Sequence, residues 1–289
     1  MAGQQTALRD GYTTGTCAAA AAKAAAACLL HGLQPSSVNV SLPPFQPSSI
    51  TVHIPVERTE RLGPEIAAAC VVKDGGDDPD VTHKARIIVF ASPRPFGPTL
   101  NNPSRYREND DTGPLHQLFA DCLSHLSAPV YPADNAPMDG GPAIVLYAGT
   151  GVGRVTLPGL PVPVGEPAIN PVPRRQIAVA ARQAARHGTH ETAHDTAHKT
   201  VRGAENGVPR EAGNTGELHL LVCVPDGKAL SERTLNARLG IMGGISILGT
   251  GGIVKPYSHD AWTCAVSQAI SVAAALALPE ILFTTGRRS

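Results

Sequence analysis

One short acidic segment carries most of the side chains that could do chemistry. The sequence VVKDGGDDPDVTH (71–83) follows an apolar run and contains four aspartates, two glycines and a histidine. Clustered carboxylates bind hard cations and also act as general bases. The spacing does not fit the calcium loop of an EF-hand. A turn rich in aspartate and glycine, capped by its own side chains, explains the segment equally well.

A second segment joins glycines to prolines and polar side chains. Residues 148–175, AGTGVGRVTLPGLPVPVGEPAINPVPRR, begin with a glycine turn that contains Gly149, Gly151 and Gly153. Without a helix directly after it, such a turn is a weak nucleotide-binding signal. The proline-rich part that follows is stiff and presents the polar side chains Glu166, Asn170 and Arg174.

A third segment places glycines among large apolar residues. Residues 234–258, TLNARLGIMGGISILGTGGIVKPYS, are framed by the cations Arg238 and Lys255. Because strand interiors disfavour glycine, the pattern indicates close approach of another backbone or of a large flat ligand.

Near the N-terminus, a polar turn precedes a helix made almost wholly of alanine. In RDGYTTGTCAAAAAKAAAACLLHG (9–32), Thr16 is the expected N-cap and Gly32 the expected C-cap of a helix over 17–31. The free amides at the helix start and the hydroxyls of Thr13, Thr14 and Thr16 form a candidate anion site. A tightly packed core helix with an ordinary cap is the competing interpretation.

A polar segment rich in histidine, residues 187–217, interrupts the regular pattern. His190, His194 and His198 recur every four residues, a spacing that on a helix would allow transition-metal binding. The threonine, glycine and aspartate between them disfavour a stable helix, so the composition favours a solvated insertion.

Composition excludes several classes of protein. The 289 residues carry 24 Lys and Arg against 24 Asp and Glu, so no net field favours nucleic acid or an anionic membrane. The six cysteines show no C-x-x-C spacing and lie mostly in apolar runs, as in a reducing compartment. No signal pattern or membrane-spanning run is evident, and we therefore expect a cytoplasmic protein.

The elements that must position these segments follow from hydrophobic periodicity. We expect a short helix over 115–126 within a long loop, a helix over 174–186, and a helix from Ser258 to about residue 277 with Trp262, Val266, Ile270 and Ala273 at helical spacing on one face. An apolar strand closes the chain, where a βαβ unit would begin its next helix. Strands are expected at 38–42, 50–56, 67–73, 85–90, 143–149 and 218–224.

Taken together, these segments resemble the cobalt-precorrin-5B C(1)-methyltransferase family of cobalamin biosynthesis. The resemblance rests on LRDGYTTGTCAAAAAKAA, VVKDGGDDPDVTH, the two glycine-rich segments and the terminal TTGRRS, which occur in the family's order. It implies an α+β domain similar to a permuted ribosomal-S5-like fold over 1–254, with the polar insertion 187–217. Residues 255–289 would then begin a smaller α/β domain with a parallel sheet, and that domain would be incomplete here.

The resemblance also implies a reaction and its ligands. S-adenosylmethionine would be the methyl donor and a cobalt tetrapyrrole the acceptor, with cobalt present only as part of the substrate. Neighbouring enzymes of the corrin pathway are candidate partners, as is a second copy of the chain. The alternative is a catalytically silent homologue that binds a tetrapyrrole or cobalt.

Residue roles follow from matching the motifs. Asp78, Asp80 and His83 are the expected catalytic residues, assisting proton movement on the macrocycle. The expected substrate-binding residues are Thr13, Thr14, Thr16, Glu166, Asn170, Arg174, Arg238 and Lys255, with Arg175 as a further donor to carboxylates. The expected donor-binding residues are Gly149, Gly151, Gly153, Thr284, Thr285 and Gly286.

Overall fold

The computed structural model describes residues 8–45, 49–97, 114–132, 141–186 and 216–284. Its helices are α1 (Thr14–His31), α2 (Pro114–Ser124), α3 (Pro171–Arg186), α4 (Gly227–Ser231) and α5 (His259–Ala275). Its strands are β1 (Gly11–Tyr12), β2 (Ser37–Ser41), β3 (Thr51–Pro55), β4 (Arg58–Gly63), β5 (Ile66–Val72), β6 (Arg86–Ser92), β7 (Ala143–Ala148), β8 (Gly151–Val152), β9 (Arg154–Val155), β10 (Glu217–Cys223), β11 (Ile241–Met242), β12 (Gly244–Ile245) and β13 (Ile253–Val254).

A mixed five-stranded sheet forms the centre of the fold, in the order β4-β5-β6-β10-β7. Strands β10 and β7 are parallel, with Leu220 opposite Leu146, whereas the other pairs are antiparallel. The six strands expected from apolar runs are confirmed with small shifts at their ends. Strand β4 was missed because its sequence, RTERLG, is mostly polar, as suits an edge strand.

Helix α1 covers one face of this sheet and is buried along most of its length. Alternate residues of β5 and β6, such as Ala69 and Val89, face it, and α3 packs on its other side. Because alanine side chains are short, α1 approaches both the sheet and α3 closely. The core interpretation of the alanine run is therefore confirmed.

The opposite face of the sheet packs against α2. The residues between those that face α1, including Cys70 and Phe90, join Phe119 and Leu123 of α2 in a second cluster. With apolar residues on both faces, the strands have almost continuous apolar sequences. The predicted helix at 115–126 is thus confirmed as α2.

Two helix starts differ from the expectation. The N-cap of α1 is Thr13 rather than Thr16, because Thr13 has extended backbone and its hydroxyl accepts from the Thr16 amide at 3.2 Å. Helix α3 begins at Pro171, three residues early, since proline is favoured in the first turn. The Gly32 C-cap, with φ of 70°, is confirmed.

The C-terminal part agrees only partly with the expectation. Ser258 caps α5, and its hydroxyl accepts from the Ala261 amide at 3.3 Å. Of the four residues on the predicted face, Trp262 is 67% and Ile270 47% exposed, and the buried residues of the helix are Val272 and Ala273. The expected terminal strand is wrong over 280–284, where the chain pairs with no strand of the described structure and Leu282 is 87% exposed.

Most of the histidine-rich segment 187–217, including His190, His194 and His198, lies outside the described residues. None of the helices in the described ranges is long and apolar enough to cross a membrane.

Candidate functional site

Two cavities lie on opposite faces of a thin layer made by β9, β11 and the adjoining segment at 167–168. In β9 and β11, Val155 pairs with Ile241 and Arg154 pairs with Met242. Val155, Ile241 and Ala168 line the first cavity, of about 270 Å³, whereas Arg154, Met242 and Pro167 line the second, of about 260 Å³. Successive residues of a strand point to opposite faces, so this layer separates the two cavities.

The first cavity has apolar walls and few polar groups. Its walls come from β9, the proline-rich segment, the glycine-rich segment 234–258 and α5. Its polar lining residues are Thr13, Thr14, Lys73, Asp80, Thr82, Asn170, Thr234, Asn236, Ser246 and Gln268. Lys73 and Asp80 are the charged residues among those that line it.

Lys73 and Asp80 form an ion pair in the wall of this cavity. Lys73 Nζ donates to Asp80 Oδ2 at 2.5 Å, and the Lys73 side chain is 1% exposed. The other carboxylate oxygen of Asp80 accepts from the amide and the hydroxyl of Thr82, both at 2.7 Å. Asp80 is therefore held in one orientation by three hydrogen bonds.

The sheet explains why a lysine is buried here. Residues 67, 69 and 71 of β5 face α1, and the Lys73 amide continues the strand pairing by donating to the Ala85 carbonyl at 2.9 Å. Since side chains alternate along a strand, Lys73 falls on the same inner face. Its ammonium then lies in the core, where a charge is tolerated only with a partner such as Asp80.

Burial and the neighbouring charge shift the pKa of Asp80 in opposite directions. Burial raises the pKa of Asp80, but the Lys73 ammonium and the hydrogen bonds from Lys73 and Thr82 outweigh it, so the pKa lies below its usual value. The carboxyl group is thus an anion at neutral pH.

The other aspartates of the acidic segment fix the loop that carries Asp80. Asp74 forms a two-pronged ion pair with Arg9, and Asp77 accepts from the Arg9 amide at 2.6 Å. Asp78 Oδ1 accepts from the Tyr257 amide at 3.1 Å. These contacts agree with a turn stabilised by its own carboxylates, and the described residues contain no group of three or more potential metal ligands.

His83 also contacts the loop rather than the cavity wall. Its Nδ1 accepts from the Gly75 amide at 3.0 Å. Neither His83 nor Asp78 is among the residues that line the first cavity. Of the three predicted catalytic residues, the structure therefore brings Asp80 alone to this cavity.

The predicted threonines bind the glycine-rich segment. The Thr14 hydroxyl donates to the Ser246 carbonyl at 3.1 Å and accepts from the Leu248 amide at 2.9 Å, while that of Thr16 donates to the Gly252 carbonyl at 2.7 Å. The start of α1 is thereby tied to the segment, and Thr13 and Thr14 reach the first cavity from this junction.

Of the predicted cationic residues Arg174, Arg238 and Lys255, one is buried and two are exposed to solvent. Arg174 is buried, paired with Glu166 at 2.7 Å and bound to the Ile169 carbonyl at 2.6 Å. Arg238 and Lys255 are exposed next to Leu239 and Val254, which line the first cavity. Arg174 and Glu166 thus neutralise each other, whereas Arg238 and Lys255 face solvent.

Gly149, Gly151 and Gly153 line the second cavity, away from Asp80. Each packs closely against protein: a Cβ on Gly151 would lie 1.7 Å from the Val224 carbonyl oxygen. Close approach of another backbone therefore accounts for these glycines. Thr284 is at the exposed end of the described chain, and Thr285 and Gly286 lie outside it.

Sequence reasoning missed Lys73, Asn236 and Gln268 as cavity residues. A usable signal existed for Lys73, because a cation directly after the apolar run AAACVV is placed on a buried strand face. Nothing comparable marks Asn236 or Gln268, which reach the cavity only through the folding of a loop and of α5.

The chain belongs to the CbiD family, whose family model matches residues 1–100 and 126–256. It is 38% identical over 282 residues to cobalt-precorrin-5B C(1)-methyltransferase from Agrobacterium fabrum, covering 98% of this chain and 55% of that protein. It is 39% identical over 290 residues to the protein of the same name from Nitratidesulfovibrio vulgaris, covering 98% of this chain and 56% of that protein. The chain thus spans slightly more than half the length of these relatives.

A similar solved structure is the 1.9 Å crystal structure of a cobalamin biosynthesis protein, cbiD, from Archaeoglobus fulgidus. The identity is 23% and the TM-score 0.45, with 91% of this chain and 60% of that chain covered.

Proposed function

We propose that this chain takes part in S-adenosylmethionine-dependent methylation of ring carbon C-1 of cobalt-precorrin-5B, which gives cobalt-precorrin-6A in cobalamin biosynthesis. The observation that carries the proposal is 38% identity across 98% of the chain to a protein named for the C(1)-methylation of cobalt-precorrin-5B. The first cavity supports it, because it combines an ionised carboxylate with apolar walls.

The reaction asks the protein chiefly to position two reactants. S-adenosylmethionine supplies an electrophilic sulfonium methyl group when bound. The ring carbon is already nucleophilic, so no protein nucleophile is needed, and alignment can supply much of the rate. We assign the ionised Asp80 to proton handling at the macrocycle. Asp78 and His83 stay predictions for the same role, and their contacts hold the loop that carries Asp80.

The tetrapyrrole is proposed to lie across the mouth of the first cavity. At about 270 Å³ the cavity lies close to the lower limit of the roughly 300–1,000 Å³ range of small-molecule sites, so a whole macrocycle does not fit inside. Thr13 and Thr14 would contact the part that enters, and Asn170 stays a predicted ligand-binding residue of this cavity. Arg238 and Lys255, which are exposed beside the cavity walls, would bind peripheral carboxylates.

We propose a cytoplasmic location, cobalt that arrives only within the substrate, and contacts with neighbouring enzymes of the corrin pathway or with a second copy of the chain. We also propose a ribosomal-S5-like fold for residues 1–254 and a domain boundary after residue 254. Thr16, Arg174 and Glu166 are proposed to support the substrate site through its backbone.

A methyl-transfer assay tests the function directly. The purified chain is incubated with S-adenosylmethionine labelled in the methyl group and with cobalt-precorrin-5B, and the label is sought in the tetrapyrrole. Label at C-1 is expected with the wild type, and a loss of at least tenfold with Asp80→Asn. Tetrapyrrole bound without label transfer would contradict the proposal and favour a silent binding protein.

A further inference from the structure

In the first cavity, the ammonium group of Lys73 makes fewer hydrogen bonds to the described residues than it has donors. An ammonium group has three N–H donors. Within the described ranges, the hydrogen-bond partner of Lys73 Nζ is Asp80 Oδ2, although the side chain is 1% exposed. Two donors of this buried cation therefore have no acceptor among the described residues, and a molecule in the cavity must supply one.

The position of the pair limits what such a ligand could be. Lys73 and Asp80 are adjacent and opposite in charge, and the other residues that line the cavity are neutral. A polycarboxylate that approached Lys73 would also meet the ionised Asp80 and be repelled. A ligand with a carboxylate next to an ammonium group suits both charges.

The size of the cavity and its other polar groups indicate the remainder of the ligand. About 270 Å³ is close to the lower limit of small-molecule sites, so the ligand is much smaller than a tetrapyrrole. The walls are mostly apolar, and the Asn170 side-chain amide, which lines the cavity, makes no hydrogen bond to the described residues. Apolar walls with a few amides suit a nucleoside base and sugar.

We infer that the Lys73–Asp80 pair binds the zwitterionic amino-acid end of the methyl donor, so that the donor occupies the first cavity and not the glycine turn 149–153. This inference rests on the proposed function, because it takes an adenosyl amino acid as the ligand. Lys73 donates to the ligand carboxylate, and Asp80 accepts from the ligand ammonium group while it stays bound to Thr82. Asp80 then acts as a donor-binding residue, in place of the proton-handling role assigned above. The second cavity, on the other side of the β9–β11 layer, is then free for another use.

Calorimetric titration with two stable ligands tests the inference. S-adenosylhomocysteine carries the amino-acid end, whereas 5′-methylthioadenosine has the same nucleoside thioether without it. We expect the wild type to bind S-adenosylhomocysteine at least tenfold more tightly. In the double variant Lys73→Met, Asp80→Asn, which removes both charges, this advantage should disappear while 5′-methylthioadenosine binds as before.

The control lies on the other face of the same layer. Met242→Trp fills the second cavity and should leave both affinities unchanged. If the tenfold advantage persists in the double variant, or is lost in Met242→Trp, the inference is overturned although the donor still binds. Absence of binding of either ligand to the wild type would contradict the proposed function as well.

A measurement on the unaltered protein covers the case in which the double variant does not fold. Decarboxylated S-adenosylmethionine keeps the amine and the sulfonium but lacks the carboxylate that Lys73 is inferred to bind. It should bind the wild type at least tenfold more weakly than S-adenosylmethionine. Equal affinities would overturn the role of Lys73.

Discussion

The chemistry of the first cavity depends on two charged side chains whose energies are linked. Lys73 is buried by its place on the inner face of the sheet, and Asp80 is held beside it by Thr82. Buried pairs often add little to stability compared with apolar residues, while an unpaired member is costly. The presence of this pair in a core rich in alanine and isoleucine is therefore better explained by ligand binding than by stability.

This linkage predicts strongly non-additive stability changes. Lys73→Met should lower the free energy of unfolding by about 3 to 5 kcal/mol, because it leaves the Asp80 carboxylate unpaired. The double variant Lys73→Met, Asp80→Asn should lose clearly less. Urea denaturation followed by circular dichroism measures both. Equal losses in the two variants would show that the pair is not energetically coupled.

Asp74 and Asp80 together predict a loss of stability in acid. The hydrogen bonds and charge of Arg9 lower the pKa of Asp74 to about 2, and Lys73 helps to lower the pKa of Asp80. Both values lie below the unfolded pKa of about 3.9, so this stabilisation is complete above that pH and is lost as the pH falls toward 2. The free energy of unfolding, measured from pH 6 to pH 2.5, should fall in this window. Asp74→Asn should flatten the profile, and an unchanged profile would contradict the assignment.

At the scale of elements, the junction between α1 and the glycine-rich segment positions the cavity. Gly249 has φ of 129°, and a Cβ there would lie 2.5 Å from the side chain of Thr13, the N-cap of α1. Gly251, two residues later, has open space at its Cβ position. The two glycines therefore offer a matched pair of substitutions.

Gly249→Ala should lower the free energy of unfolding by about 2 kcal/mol or more, since it combines an unfavourable φ with a clash. Gly251→Ala should change it by less than about 1 kcal/mol. Thermal and urea unfolding of the two variants give the comparison. Similar effects at both positions would mean that Gly249 does not form the tight contact with Thr13.

Elements with strong hydrophobic periodicity could be predicted from the sequence, whereas features that depend on long-range contacts could not. The buried strands and α1 were predictable because their apolar runs leave few alternatives. The N-cap of α1 was not predictable, because any of three neighbouring threonines could cap the helix. The long-range hydrogen bond from the Thr13 amide to the Gly252 carbonyl favours Thr13 as the cap. Asp80 was predicted from the composition of its loop. Its partner Lys73 was not, because its burial depends on strand register. The separation of Asp80 from Gly151 was not predicted either, because it depends on the β9–β11 layer.

At the scale of the whole molecule, α5 is attached along a narrow strip. Ala265 and Gln268 line the first cavity and Val272 and Ala273 are buried, but Trp262 and Ile270 are exposed. Trp262, the single tryptophan of the chain, lies on this helix and is 67% exposed. It therefore reports on the environment of the outer face of α5.

The fluorescence of Trp262 should have an emission maximum close to that of free tryptophan and should be readily quenched by iodide. The measurement is made on the dilute protein and repeated at increasing concentration. A blue-shifted, protected emission at every concentration would contradict the exposed position of α5. A shift that appears only with concentration would identify this face as a contact between copies.

Amide hydrogen exchange with and without S-adenosylhomocysteine shows whether the cavity that contains Lys73 and Asp80 receives the methyl donor. If it does, ligand-dependent protection is expected in residues 73–82 and 234–236, which belong to the first cavity. Protection confined to residues 125–127 and 149–151, which belong to the second cavity, would contradict binding of the donor in the first cavity.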